Sequence, residues 1–113
     1  MTDDARTRLL ALRSETLDRL AALHREHAAV VDASRDSNAD DEHDPEGATI
    51  AFERAQVDAL ARDAGRRLAE VGAALDRLDA GTYGTCTRCG GPVPPARLAA
   101  RPTATTCVTC PRP

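Results

Sequence analysis

Lysine and tryptophan are both absent from this 113-residue sequence, and phenylalanine, tyrosine and methionine occur once each. With Phe52 and Tyr83 as the whole aromatic complement, the bulky walls of a deep apolar ligand pocket are missing. Leu, Val and Ala must do nearly all the burying, and Ala removes little area from water. No apolar run approaches the ~20 residues of a membrane-spanning helix, so no membrane partner is expected. The first residues, Met1-Thr2-Asp3-Asp4, are acidic and lead into no apolar signal segment. The four cysteines are therefore expected to be reduced, in a cytoplasmic protein. All fifteen positive residues are Arg; against eighteen acids they leave a net charge of -3, which gives no general basic field for nucleic acid.

What is present is helical pattern. Glycine does not occur before Gly47, and Pro45 stands alone among the first 91 residues. Leu9, Leu12, Thr16, Leu20, Leu23, His27 and Val30 or Val31 recur at steps of three and four, which predicts a helix over residues 3 to about 35. Residues 34–43 are polar and turn-forming. Asp44-Pro45 then restarts a helix, with Asp44 as N-cap and Pro45 at its first position. That helix runs to about Ala80 through Ile50, Val57, Leu60, Ala64, Leu68, Val71, Leu75 and Leu78, with Gly81 as its C-cap. Val57, Leu60, Leu68, Val71 and Leu75 are expected to bury against Leu9 to Val31. Phe52 is expected to anchor the connection, and Gly65 and Gly72, seven apart, to allow close helix approach. The two stretches predict an antiparallel two-helix coiled-coil hairpin over residues 1–80, with its tip at about 36–48.

Residues 81–113 change character, since six of the seven prolines fall between Pro92 and Pro113. Core-forming side chains are scarce there, and Cys86-Thr-Arg-Cys89 and Cys107-Val-Thr-Cys110, separated by 17 residues, supply the alternative. Two CxxC turns each aim two sulfurs at one point. That pattern predicts a small C4 zinc finger holding one structural Zn²⁺ on Cys86, Cys89, Cys107 and Cys110. Four protein ligands leave no open position for catalysis, and no βαβ pattern suggests a redox CxxC. No nucleophile–base pair or phosphate loop is visible either, so an enzyme is not expected.

Other residues invite chemistry and are weighed against packing. His24 and His27 lie three apart on the first helix, with no ligand pattern beside them in sequence, and read as packing histidines. Tyr83 is expected to pack on the helix end or the finger. Asp40, Asp41, Glu42, Asp44 and Glu46 form an acidic tip, which is either a solvated turn or a negative surface presented to a partner. Arg88, Arg97, Arg101 and Arg112 make the finger locally basic, but without an aromatic platform for single-stranded nucleic acid.

The run Tyr83-Gly84-Thr85-Cys86-x-x-Cys89-Gly90, followed by Arg97-Leu98-x-Ala100-Arg101-Pro102-x-Ala104-x-x-Cys107-x-x-Cys110, resembles the DksA/TraR family of C4 zinc-finger transcription regulators. The preceding helical hairpin agrees. The resemblance implies a protein that binds bacterial RNA polymerase without contacting promoter DNA. It implies a coiled-coil tip inserted through the secondary channel and an effect on open-complex stability. Members carry an Asp-x-x-Asp-x-Ala tip motif, onto which His43, Glu46 and Ala48 fall, with Asp41 and Asp44 flanking the His. Asp41, Asp44, Glu46 and Ala48 are thus the implied partner-binding tip. Arg101 matches a basic residue associated with the alarmone ppGpp or with polymerase contact. Glu70 and Pro111 stand where lysines are expected, which argues against ppGpp cooperation.

The resulting expectation is a mainly α, non-enzymatic zinc protein that modulates transcription initiation through RNA polymerase, with no direct sequence-specific DNA binding. The competing expectation is a zinc-stabilised coiled-coil adaptor whose rod binds something else.

Overall fold

The computed structural model describes residues 2–36 and 45–110. It is mainly helical: α1 spans Thr2–Asp36, α2 spans Pro45–Ala80 and a short α3 spans Pro95–Ala100. The absence of glycine and internal proline lets α1 continue for 35 residues, with Asp3 and Asp4 complementing the helix dipole in its first turn. Proline at the start of α2 costs no hydrogen bond, because the first N–H groups of a helix are unpaired anyway. α2 ends where Gly81 adopts φ +79°, a left-handed conformation that other residues enter at a cost. The N–H of Gly81 then donates to the Leu78 carbonyl at 3.2 Å and that of Thr82 to the Arg77 carbonyl at 2.9 Å. This Schellman pairing satisfies carbonyls the helix would otherwise leave open. The fold is an antiparallel two-helix hairpin followed by a small four-cysteine finger.

The described residues form two compact units, residues 16–67 and residues 1–15 with 68–113. In the second of these, Ala5 and Leu9 of α1 pack with Val71, Ala74 and Leu78 of α2, and Leu12, Leu75 and Tyr83 close over them. Leu9, Val71 and Ala74 are fully buried. The start of α1 thus meets the end of α2, and an exposed Arg6–Asp79 ion pair of 2.9 Å lies on the same pairing. In the unit of residues 16–67, Leu23 packs with Val57 and Ala64, flanked by Leu20 and Ala61. Exposed pairs of Asp63 with Arg66 and, at 3.4 Å, with Arg67 decorate α2 there.

Three packing expectations fail. Leu60 is 37% exposed and Phe52 is 71% exposed, so neither belongs to the core. At ~100° per residue, Phe52 stands about 140° around the helix from Val57, and Leu60 about 60° to one side of it. A Cβ at Gly65 or Gly72 would meet nothing within 4 Å, so neither glycine serves a close approach. The seam is instead narrowed by Ala5, Ala64 and Ala74. Leu68 and Leu75 are half-buried.

Candidate metal centre

Among the described residues, Cys86, Cys89, Cys107 and Cys110 form the group of metal-capable side chains whose ligand atoms all lie within 4.8 Å of one another. The backbone places them. In the first CxxC turn, the Gly90 N–H donates to the Cys86 carbonyl at 3.0 Å, and the Cys86 N–H to the Gly91 carbonyl at 2.8 Å. Gly90 closes that turn at φ +73°. A lone bridge between Thr85 and Pro92 holds the base of this loop. The second turn is brought alongside by the Thr87 N–H, which donates to the Thr105 carbonyl at 2.9 Å.

Between the two turns, Pro94-Pro95 opens α3, and proline in the first turn again costs no hydrogen bond. Sequence reasoning missed α3, although a proline start followed by Ala-Arg-Leu-Ala-Ala is a legible helix signal. From α3, the Arg97 Nε donates to the Thr106 carbonyl at 2.8 Å. Val93, Ala104 and the buried Cys86 and Cys107 fill the small interior, with Leu98 and Cys110 at its edge. The finger also rests on the hairpin. The Tyr83 hydroxyl donates to the Pro102 carbonyl at 2.8 Å, and Arg77 reaches the Thr103 carbonyl at 3.5 Å. Tyr83 therefore contacts both the helix end and the finger, as its position implied.

The sulfurs fit a tetrahedral ion. Four thiolates at about 2.3 Å from Zn²⁺ stand about 3.8 Å from one another, and the Cys89 and Cys107 sulfurs are 3.7 Å apart. All four cysteines are free of disulfides. The charge of the set points the same way. The Thr109 hydroxyl, 3.2 Å from the Cys107 sulfur, and the Thr109 backbone hold that thiol down at about 6. Backbone N–H groups, those of Cys89 and Cys107 foremost, bring Cys86 down to about 7. Cys110, facing Cys107 and Cys89, is pushed up to about 12. The cluster thus favours thiolates at two positions and resists another at Cys110, which is the repulsion a dication relieves. Thr109 was not among the residues the sequence singled out. Its place in Cys107-x-Thr-Cys110, two residues after a ligand, was the available signal.

Comparisons with known proteins agree with this geometry. Residues 81–112 match the prokaryotic dksA/traR C4-type zinc finger. The chain also superposes on the structure of transcription factor DksA2 from Pseudomonas aeruginosa. That match has a TM-score of 0.81 and 28% identity, over 95% of this chain and 77% of the other. Residues 81–112 thus form a dksA/traR-type C4 finger, in a chain whose fold is similar to that of DksA2. An uncharacterised protein of Aquifex aeolicus (strain VF5) is 44% identical over 43 residues, 38% of this chain and 30% of that protein. With a C4 finger of this type and four cysteines clustered at metal-binding distance, the protein carries one structural zinc.

The remaining expected site residues are placed as follows. Asp41 and Asp44, with Asp40, Glu42 and His43, lie outside the described residues, as does Pro111. Glu46 stands in the first turn of α2, and Ala48 is exposed on the same helix. Arg101 ends α3, its N–H donating to the Arg97 carbonyl at 2.7 Å. It lines an open groove of about 310 Å³ with Glu70, Arg97 and the residues from Thr103 to Thr106. His24 is exposed, and the half-buried His27 lies 3.0 Å from Asp58. No helix among the described residues is long and apolar enough to cross a membrane.

Proposed function

We propose that this protein is a DksA/TraR-type transcription regulator, not an enzyme, that acts in the cytoplasm by binding bacterial RNA polymerase through its secondary channel. The observation that carries the reading is the match to a transcription factor over 95% of the chain at a TM-score of 0.81. Such breadth takes in the long helices as well as the finger, and a shared zinc ribbon alone would not produce it.

In this reading Cys86, Cys89, Cys107 and Cys110 ligate the zinc, whose closed shell supplies folding energy and no reaction chemistry. The finger braces the helix ends and touches the polymerase surface. Asp41, Asp44, Glu46 and Ala48 form the effector tip, and the small Ala48 side chain suits a narrow channel. Arg101 is the basic polymerase or alarmone contact. Glu70 places a carboxylate in the groove that Arg97 and Arg101 line, and Arg97 is engaged by the Thr106 carbonyl. An anion as highly charged as ppGpp would meet a like charge there, so the effect is expected to be independent of the alarmone. No direct sequence-specific DNA contact is required.

The test is a binding assay with purified cognate RNA polymerase, with and without ppGpp, run beside in vitro transcription. Wild-type protein is expected to bind and to change open-complex lifetime equally in both conditions. Neutralising Asp41, Asp44 and Glu46 together should abolish the transcriptional effect with little loss of binding. Failure of the wild type to bind would return the adaptor reading. Unaltered transcription by the neutralised variant would reduce the acids to a solvated turn.

A further inference from the structure

We infer that His24, His27 and Asp58 form a second, surface metal site that takes a borderline divalent transition ion such as Zn²⁺. Three observations lead there. His24 and His27, three apart on α1, share one helix face. Asp58 of α2 comes to that face, its Oδ1 lying 3.0 Å from the His27 Nε2. All three residues line one open groove of about 410 Å³, whose other walls are Ala61 and Arg62.

The chemistry of the set is selective. Two imidazoles and one carboxylate suit Zn²⁺ and its neighbours in the first transition row better than Ca²⁺ or Mg²⁺, which prefer all-oxygen shells. Ligand atoms at about 2.0–2.1 Å from one tetrahedral or octahedral ion stand roughly 2.9–3.4 Å apart, so the His27–Asp58 pair already has the spacing of two ligands. His24 completes the set by rotation of an exposed side chain, since its ring nitrogens lie outside the 4.8 Å mutual distance that the cysteines satisfy. Ala61 keeps the groove open beside them. Arg62 places a positive charge in the same groove and opposes the ion, so this site is weaker than the four-thiolate centre. The sequence alone concealed it, because Asp58 is 31 residues from His27 and the hairpin pairs them. A metal here would clasp α1 to α2 beside Leu23, Val57 and Ala64, the small core of that unit.

The experiment titrates the zinc-loaded full chain with Zn²⁺ alone, reading bound zinc by equilibrium dialysis and the histidine ring resonances by NMR. A second zinc is expected, with the His24 and His27 resonances shifting and His43 unmoved. His24→Gln and His27→Gln, singly, should weaken that second binding at least about tenfold, the loss that removing even an outer-shell partner brings. Asp58→Asn should weaken it and Arg62→Gln should tighten it. His43→Gln should leave it unchanged, which separates the groove from the histidine within the acidic tip. The side chains of His24, His27, Asp58 and Arg62 are at least partly exposed, and circular dichroism verifies that each variant is folded. A single zinc per wild-type chain would overturn the proposal. So would a second zinc that survives the His24→Gln/His27→Gln double variant or disappears in His43→Gln.

Discussion

The Tyr83 hydroxyl donates a 2.8 Å hydrogen bond to the carbonyl of Pro102, nineteen positions along the chain. Through it, the segment leaving α2 is tied to the stretch that approaches the second pair of cysteines. The ring packs on the cluster of Ala5, Leu9, Val71, Ala74 and Leu78. Tyr83→Phe keeps that packing and loses the bond, so it should cost about 1 kcal/mol in denaturant unfolding of the zinc-loaded protein. Burial raises the Tyr83 phenol above its ordinary 10, with Arg8 and Arg77 pulling it back. The folded state therefore holds this proton more tightly than the unfolded chain does. Its stabilising contribution is complete below pH 10 and is lost as the pH rises through the folded value. With no tryptophan and no other tyrosine, ultraviolet absorbance of the tyrosinate reports this titration without interference.

The finger's apolar interior consists of Val93, Ala104, Cys86 and Cys107, with Leu98 and Cys110 at its margin. Zinc binding of order 10 kcal/mol should then supply most of its folding energy. Cys107→Ser, or chelation of the metal, is expected to collapse the amide dispersion of residues 82–110 in NMR spectra. Most helical circular dichroism should remain, because α1 and α2 contain none of the ligands. Retained finger dispersion after that substitution would contradict the assignment.

Leu9 is fully buried and Leu60 is 37% exposed, although the heptad-like spacing treats them alike. Leu9→Ala should cost about 3 kcal/mol, combining lost transfer energy with a cavity. Leu60→Ala should stay within about 0.5 kcal/mol of wild type. Urea unfolding of the two variants, measured side by side, checks the seam.

Gly65 and Gly81 should respond to alanine with opposite signs. A methyl at Gly65 meets nothing within 4 Å inside α2, so Gly65→Ala should stabilise by about 0.5–1 kcal/mol. At Gly81, φ +79° is unfavourable to any residue with a Cβ, and Gly81→Ala should destabilise by about 1 kcal/mol. Thermal melts of both variants test this.

The bounds of the long helices were legible because their signals are local: proline at 45, glycine at 81 and an apolar period of three and four between, which outweighs three internal glycines. The four cysteines were legible because their spacing allows few other geometries. Phe52 and Leu60 were misjudged because size and approximate period were given more weight than phase around the helix. Ala5 and Ala74 were passed over for the complementary reason, since a small side chain announces itself weakly even when a close seam buries it completely. The His27–Asp58 pair and the Tyr83–Pro102 bond could not be read at all. Each depends on which turns of chain face one another, and no local pattern records that.

The two compact units differ in how the chain reaches them. Residues 16–67 are contiguous, whereas the other unit joins residues 1–15 to 68–113. Arg6 and Asp79, a pair within the latter, are 73 positions apart. Contacts such as Leu23 with Val57 close a shorter loop and lose less chain entropy. Folding is therefore expected to begin in the contiguous stretch and to zip outward until Leu9 finds Val71, with zinc capture by the finger free to proceed on its own clock. In a kinetic analysis, Val57→Ala should slow refolding, while Val71→Ala should chiefly hasten unfolding. Equal φ-values at the two sites would refute this order. The helix turns where Leu9 meets Val71 are then the last part of the hairpin to be secured and the first to be released.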